Sequence, residues 1–190
     1  MGTARGFYPG PMRTLSTARL ELRSWEEGFE DDLFRLSSDE RMMRFIGDGR
    51  PWSRERTAER HQACLRHWEQ YGFGWRGIFD RGDFAGVAAL NRLGTKVPGI
   101  EEDAIEIGWW VAPEAWGRGL ATETALALRD DAFGELGAQR LAARYQPGNE
   151  ASGRIMVKIG MRAYGDTVGT AGEPVRVCEL RRADWEALRP

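Results

Sequence analysis

Cysteine and histidine are scarce, two of each in 190 residues. Cys64 and Cys178 stand far apart with no CxxC partner, which excludes a disulfide framework and, with so few histidines, a zinc site. No metal is therefore expected, and the two thiols read as buried groups in a reducing, cytoplasmic setting. Positive charge is not in excess: 27 Lys and Arg stand against 29 Asp and Glu, a net charge of −2. Without clustered positive charge, nucleic acid is not an expected partner. A run of about 18 apolar residues, as a membrane helix needs, occurs nowhere, and the opening MGTARGFYPGPMRTLSTARL lacks the apolar core of a signal peptide. Gly6 stands where a myristoylation signal needs Ser or Thr. The Walker string GxxxxGK is also missing, and Thr122 stands where a GxGxxG dinucleotide fingerprint needs its third glycine. A nucleoside triphosphatase and a Rossmann dehydrogenase are thereby disfavoured.

What is present is apolar mass. At 42% hydrophobic and 11% aromatic, the chain can bury one core, and its length suits one domain, typically about 100–200 residues. Residues 1–16, rich in glycine and proline, read as a flexible arm, and 17–190 as a single domain. LELRSW from Leu20 alternates as a strand. Glu30, Asp31 and Asp32 open a helical tract through Leu33, Leu36, Met43 and Phe45 that ends before IGDGRP. Ser53 caps a longer helix whose Ala58, His61, Leu65 and Trp68 recur at spacings of three and four, up to Gly72. GWRGIFD and FAGVAALNR, joined at residues 81–83, imply an antiparallel hairpin. AIEIGWWV puts Ile105, Ile107, Trp109 and Val111 on one face and Glu106, Gly108 and Trp110 on the other. A helix follows with Ala121, Ala125, Leu128, Ala132 and Leu136 as its apolar stripe, and then the strand RLAARY from Arg140, an order that favours parallel pairing. A final helix over about 149–160 and strands around 161–165 and 175–181 complete the reading. The expected class is α+β, a central mixed β-sheet flanked by helices. Trp25, Trp68, Trp185 and His61 fall where packing alone accounts for them.

The segment WGRGLATE marks a strand-to-helix junction. A helix N-terminus offers unpaired N–H groups and about half a positive charge, and Gly117 and Gly119 leave those groups open to an anion. Glycines also start helices with no ligand at all, so both readings stand on these residues alone. Taken with NEASGRIMVKIGM from Asn149, the segment resembles two signatures of the GCN5-related N-acetyltransferase (GNAT) superfamily: its RxxGxG/A pyrophosphate loop and its Asn-led helix ending in KxGF. TARLELRSW, MRFIGDGRPWSRER and IGWWVAPEAWGRGLATE resemble the ribosomal-protein N-terminal acetyltransferase (RimJ/RimL-type) subgroup. The likeness runs from about Thr17 to the last strand, with Trp116 in place of the usual Arg or Gln and Met161 in place of Phe.

The resemblance implies the GNAT fold, with an acetyl-CoA cleft between splayed strands at 104–111 and 140–145. The amides of Gly117, Arg118, Gly119, Ala121 and Thr122 would hold pyrophosphate, and the Val111 amide would face the thioester or pantetheine. Trp110 and Trp116 would lie beside the cofactor, and Asn149 on the pantetheine arm or as a plain helix cap. The Arg118 guanidinium either meets phosphate or is a surface charge. The implied reaction is direct transfer of an acetyl group to a primary amine in a ternary complex, the amine being a protein N-terminus or a small molecule. Phe45, Trp75 and Asn91 would shape the acceptor pocket. An amine attacks only when neutral, so a base is needed, and Glu106 matches the glutamate in the EIG segment of relatives. An arginine-paired strand glutamate is the alternative. The position of the relatives' acidic tyrosine holds Met156, leaving Ser152 as the nearest polar substitute or as a plain helix-start serine, with Tyr145 and Tyr164 as further options. A noncatalytic acyl-CoA binder of the same fold is the rival function, and a homodimer is in keeping with the relatives.

Overall fold

Leu20 and Leu22 alternate with Glu21 and Arg23, and the stretch forms β2 (Leu20–Ser24) with both leucines buried. In the computed structural model, which describes residues 14–188 except Thr170, a further strand β1 (Leu15–Ser16) pairs with it, Leu15 opposite Leu22. Leu15 and Ser16 therefore belong to the sheet and not to an arm; two residues are too few to show a period. The remainder of the expected arm, 1–13, lies outside the described residues.

The tract expected as one helix divides into α1 (Glu30–Ser37) and α2 (Glu40–Met43). Asp39 causes the break, since its carboxylate accepts from the N–H groups of Arg41 and Met42 and so caps a new helix. Helix α3 (Arg54–Tyr71) has the expected ends: Ser53 Oγ accepts from the Arg56 N–H at 3.2 Å, and Gly72 closes it at φ +68°. Strands β3 (Arg76–Asp80) and β4 (Asp83–Arg92) form the hairpin, turning through Arg81 and Gly82 at φ 55° and 92°.

Next along the chain come β5 (Ile105–Val111), α4 (Leu120–Gly134) and β6 (Arg140–Tyr145). The chain finishes with α5 (Glu150–Lys158), β7 (Arg162–Val168), β8 (Pro174–Arg181) and α6 (Arg182–Ala187). Helix α6 makes α5 the penultimate helix, not the final one; six residues carry too little periodicity to be read. All eight strands join one sheet in the order β1-β2-β3-β4-β5-β6-β8-β7. The β5–β6 pair is parallel and every other pair antiparallel.

Each face of the sheet carries a core. On one face Leu120, Ala125, Leu128 and Ala132 of α4 pack against Ile105, Ile107, Leu141 and Leu180, while Leu136, beyond the end of α4, packs at the margin of that core. On the other, Trp25, Phe29, Leu33, Trp68 and Trp75 cluster under α1 and α3. His61 sits within that region, its Nδ1 accepting from Trp25 Nε1 at 3.1 Å, as a buried core histidine.

One break in pairing positions the site. Strands β5 and β6 pair only at Ile105 with Leu141 and Glu106 with Ala142. Beyond Glu106, β5 runs on to Val111 bonded to β4 alone, while β6 stays with β8 through Tyr145. The two central strands thus diverge and open a wedge. Gly86 lets β4 lie close along β5 here: its φ is +151°, and a Cβ would stand 2.0 Å from the Trp110 carbonyl oxygen.

Candidate active site

The loop from β5 to α4 turns at Pro113 and enters the helix through Gly117 and Gly119, at φ +74° and +78°. These are left-handed values that glycine adopts without strain. Among the described residues no side chain caps α4. The first amide to find a partner is that of Glu123, bonded to the Gly119 carbonyl at 3.1 Å; among the described residues, no acceptor meets the amides of residues 117–122. The result is a cluster of donors at the positive end of a four-turn helix, suited to an anion.

The strand end adds a further donor. The Ala112 N–H donates to the Ala85 carbonyl at 2.8 Å. Antiparallel ladders alternate, so Val111, opposite Gly86, directs its N–H and C=O away from β4 and into the wedge. The Val111 carbonyl accepts from Trp116 Nε1 at 2.6 Å, tying the glycine loop to the strand. Its N–H meets no acceptor among the described residues.

These groups surround a cleft of about 640 Å³ lined by Val111, Trp116, Gly117, Gly119, Ala121, Thr122, Asn149 and Ser152. Asn149 caps α5, its Oδ1 accepting from the Ser152 N–H at 3.2 Å, and its amide nitrogen has no partner among the described residues. Both roles considered for Asn149 are thus compatible. The Ser152 hydroxyl likewise bonds to no described residue and lies one turn along the same helix face. Trp109 also lines the cleft, a residue the sequence reading passed over although strand alternation puts it on the face of Val111. Arg44, just past α2, and Arg154 on α5 also line the rim without any pattern in the sequence that marks them, while Lys158 is the lysine of the KxGF-like signature.

The expected Trp110 contact needs correction, and the Arg118 guanidinium takes neither of the two roles left open for it. The Trp110 ring lies on the opposite face of β5, packed edge-on to Trp52 and Trp75, as the two-residue period of a strand requires. The Arg118 guanidinium turns away from the cleft to ion-pair with Asp80, and its carbonyl accepts from Arg19 at 2.9 Å. Asp80, only 9% exposed at its side chain, would otherwise be left without a counter-charge. Only the Arg118 amide remains available to an anion. Behind the loop, Glu123 accepts from Thr17 Oγ1 at 2.5 Å and Arg19 Nε at 2.7 Å. Burial raises the pKa of this carboxyl, but these donors outweigh it and hold the group below the usual range.

A second cavity, about 530 Å³, opens across the sheet and brings Phe45, Trp75, Asn91, Glu106 and Trp110 together. Phe45 lines both cavities. Glu106, the last β5 residue paired with β6, stands at the fork of the wedge with Asn91 opposite it on β4. Its carboxylate accepts from Arg144 Nε at 2.7 Å and meets Lys96 Nζ at 3.1 Å. Burial pushes its pKa up, yet the two cations prevail and hold it below the ordinary carboxylate range. Cys64 also lines this cavity, but burial pushes its thiol up to about 12 against the pull of Arg60, so it is not a nucleophile there. Tyr145 lines the same cavity, whereas Tyr164 donates to the Pro98 carbonyl at 3.1 Å and Met156 is buried in the core.

A loop of free amides at a helix N-terminus beside diverging parallel strands defines a class of protein that binds an anionic ligand at the mouth of a sheet cleft. The GNAT acetyltransferase domain family matches residues 19–162, and this chain belongs to that family. It is 31% identical over 152 residues to the FsC-acetyl coenzyme A-N(2)-transacetylase of Aspergillus fumigatus, a match covering 78% of this chain and 64% of that relative. The chain thus spans slightly less than two thirds of that protein. The acetyltransferase of Agrobacterium tumefaciens str. C58 superposes with a TM-score of 0.75 at 26% identity, over 95% of this chain and 99% of the other. RimL, a ribosomal L7/L12 alpha-N-protein acetyltransferase solved with coenzyme A, shares the fold at a TM-score of 0.73 and 19% identity, covering 89% of this chain and 98% of its own.

Proposed function

We propose that this chain transfers the acetyl group of acetyl-CoA to a primary amine, directly and within a ternary complex, as a RimJ/RimL-type member of its family. The observation that carries the reading is the set of unpaired amides at 117–122 opening onto a wedge that begins just past Glu106. Those amides and that of Val111 fit a diphosphate joined to an extended acyl-bearing arm, since each leaves a backbone donor without a protein partner. When bound, acetyl-CoA supplies an activated thioester. The chain holds its diphosphate at α4, meets the arm with Asn149, and aligns the acyl carbonyl with the Val111 N–H. The amine enters from the second cavity, past Phe45, Trp75 and Asn91. As the N–C bond forms the C–S bond breaks, coenzyme A leaves as a thiolate, and the amine gives up one proton.

Glu106 receives that proton, directly or through one water. A carboxylate offers about four lone-pair sites, of which Lys96 and Arg144 occupy two. Because both cations lower its pKa, it suits an α-amine near pKa 8, partly neutral already, better than a lysine-type amine near 10.4. The Ser152 hydroxyl donates to the departing thiolate, a modest role because thiolates leave readily; its position in the lining of the cleft supports this.

The test is to follow free thiol while the protein is incubated with acetyl-CoA and α-amino peptides, amino acids, polyamines and aminoglycosides. An amine-dependent thiol signal with acetylated product supports the reading. Coenzyme A binding with no thiol release for any amine supports a noncatalytic acyl-CoA binder instead, and absence of coenzyme A binding overturns both.

A further inference from the structure

The protein carries a net charge of −2, yet five Arg or Lys side chains and only two carboxylates line the second cavity. Most of these charges are committed to protein partners. Lys96 and Arg144 hold Glu106, Arg92 donates to the Asp103 carbonyl at 2.6 Å, and Glu173 accepts from the Ala171 N–H at 2.9 Å. Arg56 and Arg60 differ. They lie one turn apart on α3, on one helix face and exposed, with their guanidinium groups 5.1 and 5.9 Å from the Trp52 ring centroid. Arg60 also lies 5.9 Å from the Trp75 ring, and no carboxylate among the described residues pairs with it. The nearest carboxylate to Arg56, Asp48, is at 3.9 Å, the far limit of an ion pair. Glu59 shares the outer shelf with both arginines and pairs with neither. Two guanidiniums one helical turn apart, beside the tryptophan rings that line the cavity, form a fork for a carboxylate.

We infer that the acceptor is an amine that also carries a side-chain carboxylate, whether an acidic amino acid or a peptide with an acidic head, that side-chain anion held by Arg56 and Arg60 while the amine faces Glu106. The inference rests on the acetyl-transfer reading and names the substrate class of that same site. Polycationic acceptors are repelled by the same charges.

Isosteric pairs test it: glutamate against glutamine, and Ser-Glu-Glu against Ser-Gln-Gln, with spermidine as the cation. A charge-assisted hydrogen bond contributes enough for about a 10- to 100-fold higher kcat/KM with the carboxylate of a pair. In an Arg56→Gln/Arg60→Gln variant that ratio collapses towards one. The first pair succeeding alone assigns a small-molecule source, the second alone a peptide source, and either supports the proposal. Equal or better use of the amide isosteres or spermidine overturns it, as does a double variant that lowers both members of a pair equally. Calorimetric coenzyme A binding on the same preparations separates the two layers. Intact binding with other amines acetylated but none that bears a side-chain carboxylate overturns this inference alone, whereas intact binding with no amine acetylated, or absence of binding, overturns the acetyl-transfer reading with it.

Discussion

Glu106 is the residue on which the chemistry turns, and its surroundings fix what it can be asked to do. Held below the ordinary carboxylate range by Lys96 and Arg144, it is ionised throughout the neutral range. The rise of kcat/KM between about pH 6 and 9 is then expected to follow deprotonation of the acceptor amine, with any limb due to Glu106 falling below its ordinary value near pH 4.3. A pH profile taken with two acceptors of different amine pKa checks this: the limb moves with the acceptor. Glu106→Gln is expected to lower kcat by about 10²–10⁴-fold while the coenzyme A Kd stays within about twofold, since the carboxylate faces the second cavity and not the amide loop. Unchanged turnover would leave it a structural anchor for Arg144. The arginine-paired alternative and the catalytic one thus coincide in one side chain, and only kinetics divides them.

At the scale of elements, local signals were legible where one residue sets a backbone conformation. Ser53 and Gly72 bound α3, Arg81 and Gly82 turn the β3–β4 hairpin, and Asn149 caps α5, all through contacts within a few residues along the chain. Elements of two and six residues, β1 and α6, gave no period to read, and the cap at Asp39 was hidden inside an otherwise continuous helical pattern. Long-range pairings left no local trace. Asp80 takes Arg118 out of the cleft and Glu123 binds Thr17 and Arg19, contacts between segments 38 to 106 residues apart. The glycines of the loop carry their own test. Gly119→Ala forces an alanine into the left-handed region, at a cost of about 1–3 kcal/mol, and adds a methyl group beside the amide cluster. Coenzyme A affinity is expected to fall about 10-fold or more by calorimetry, with the protein still folded. Gly86→Ala is expected to be far more damaging, because its methyl group would collide with the Trp110 carbonyl and push β4 from β5. A destabilisation of about 3 kcal/mol or more in urea unfolding is the expected size.

For the molecule as a whole, the core under α4 runs without interruption from β5 across β6 to β8, an aromatic core lies on the other face of the sheet and a smaller cluster joins Leu93 and Ala104 to Ala142 and Val177, so the wedge opens beside a continuous core. The aromatic side includes both histidines, and each is fixed as neutral. His61 Nδ1 accepts from Trp25, and His67 Nδ1 donates to the Phe73 carbonyl at 2.8 Å while its Nε2 accepts from the Arg92 N–H at 3.3 Å. Burial is the main cause that lowers both pKa values, against the pull of Glu30 and Glu27 at His61 and of the Phe73 carbonyl at His67. A proton therefore binds the unfolded chain, near pKa 6.5, before it binds the folded one. Stability is fully present above about pH 6.5 and falls as the pH drops towards the lowered folded values, by at most about 1.4 kcal/mol per pH unit for each histidine. Glu106 and Glu123, also lowered, lose their contribution only below about pH 4.5, so the interval from about 6.5 to 5 reports the histidines. Thermal melts are expected to show Tm declining across that interval. In His61→Gln, whose side-chain oxygen can still accept from Trp25, the decline should be shallower even if the variant starts from a lower Tm, because one of the two titrating groups is gone. An unchanged slope would mean that His61 is protonated as readily in the folded protein as in the unfolded chain, against the buried, accepting geometry of its ring.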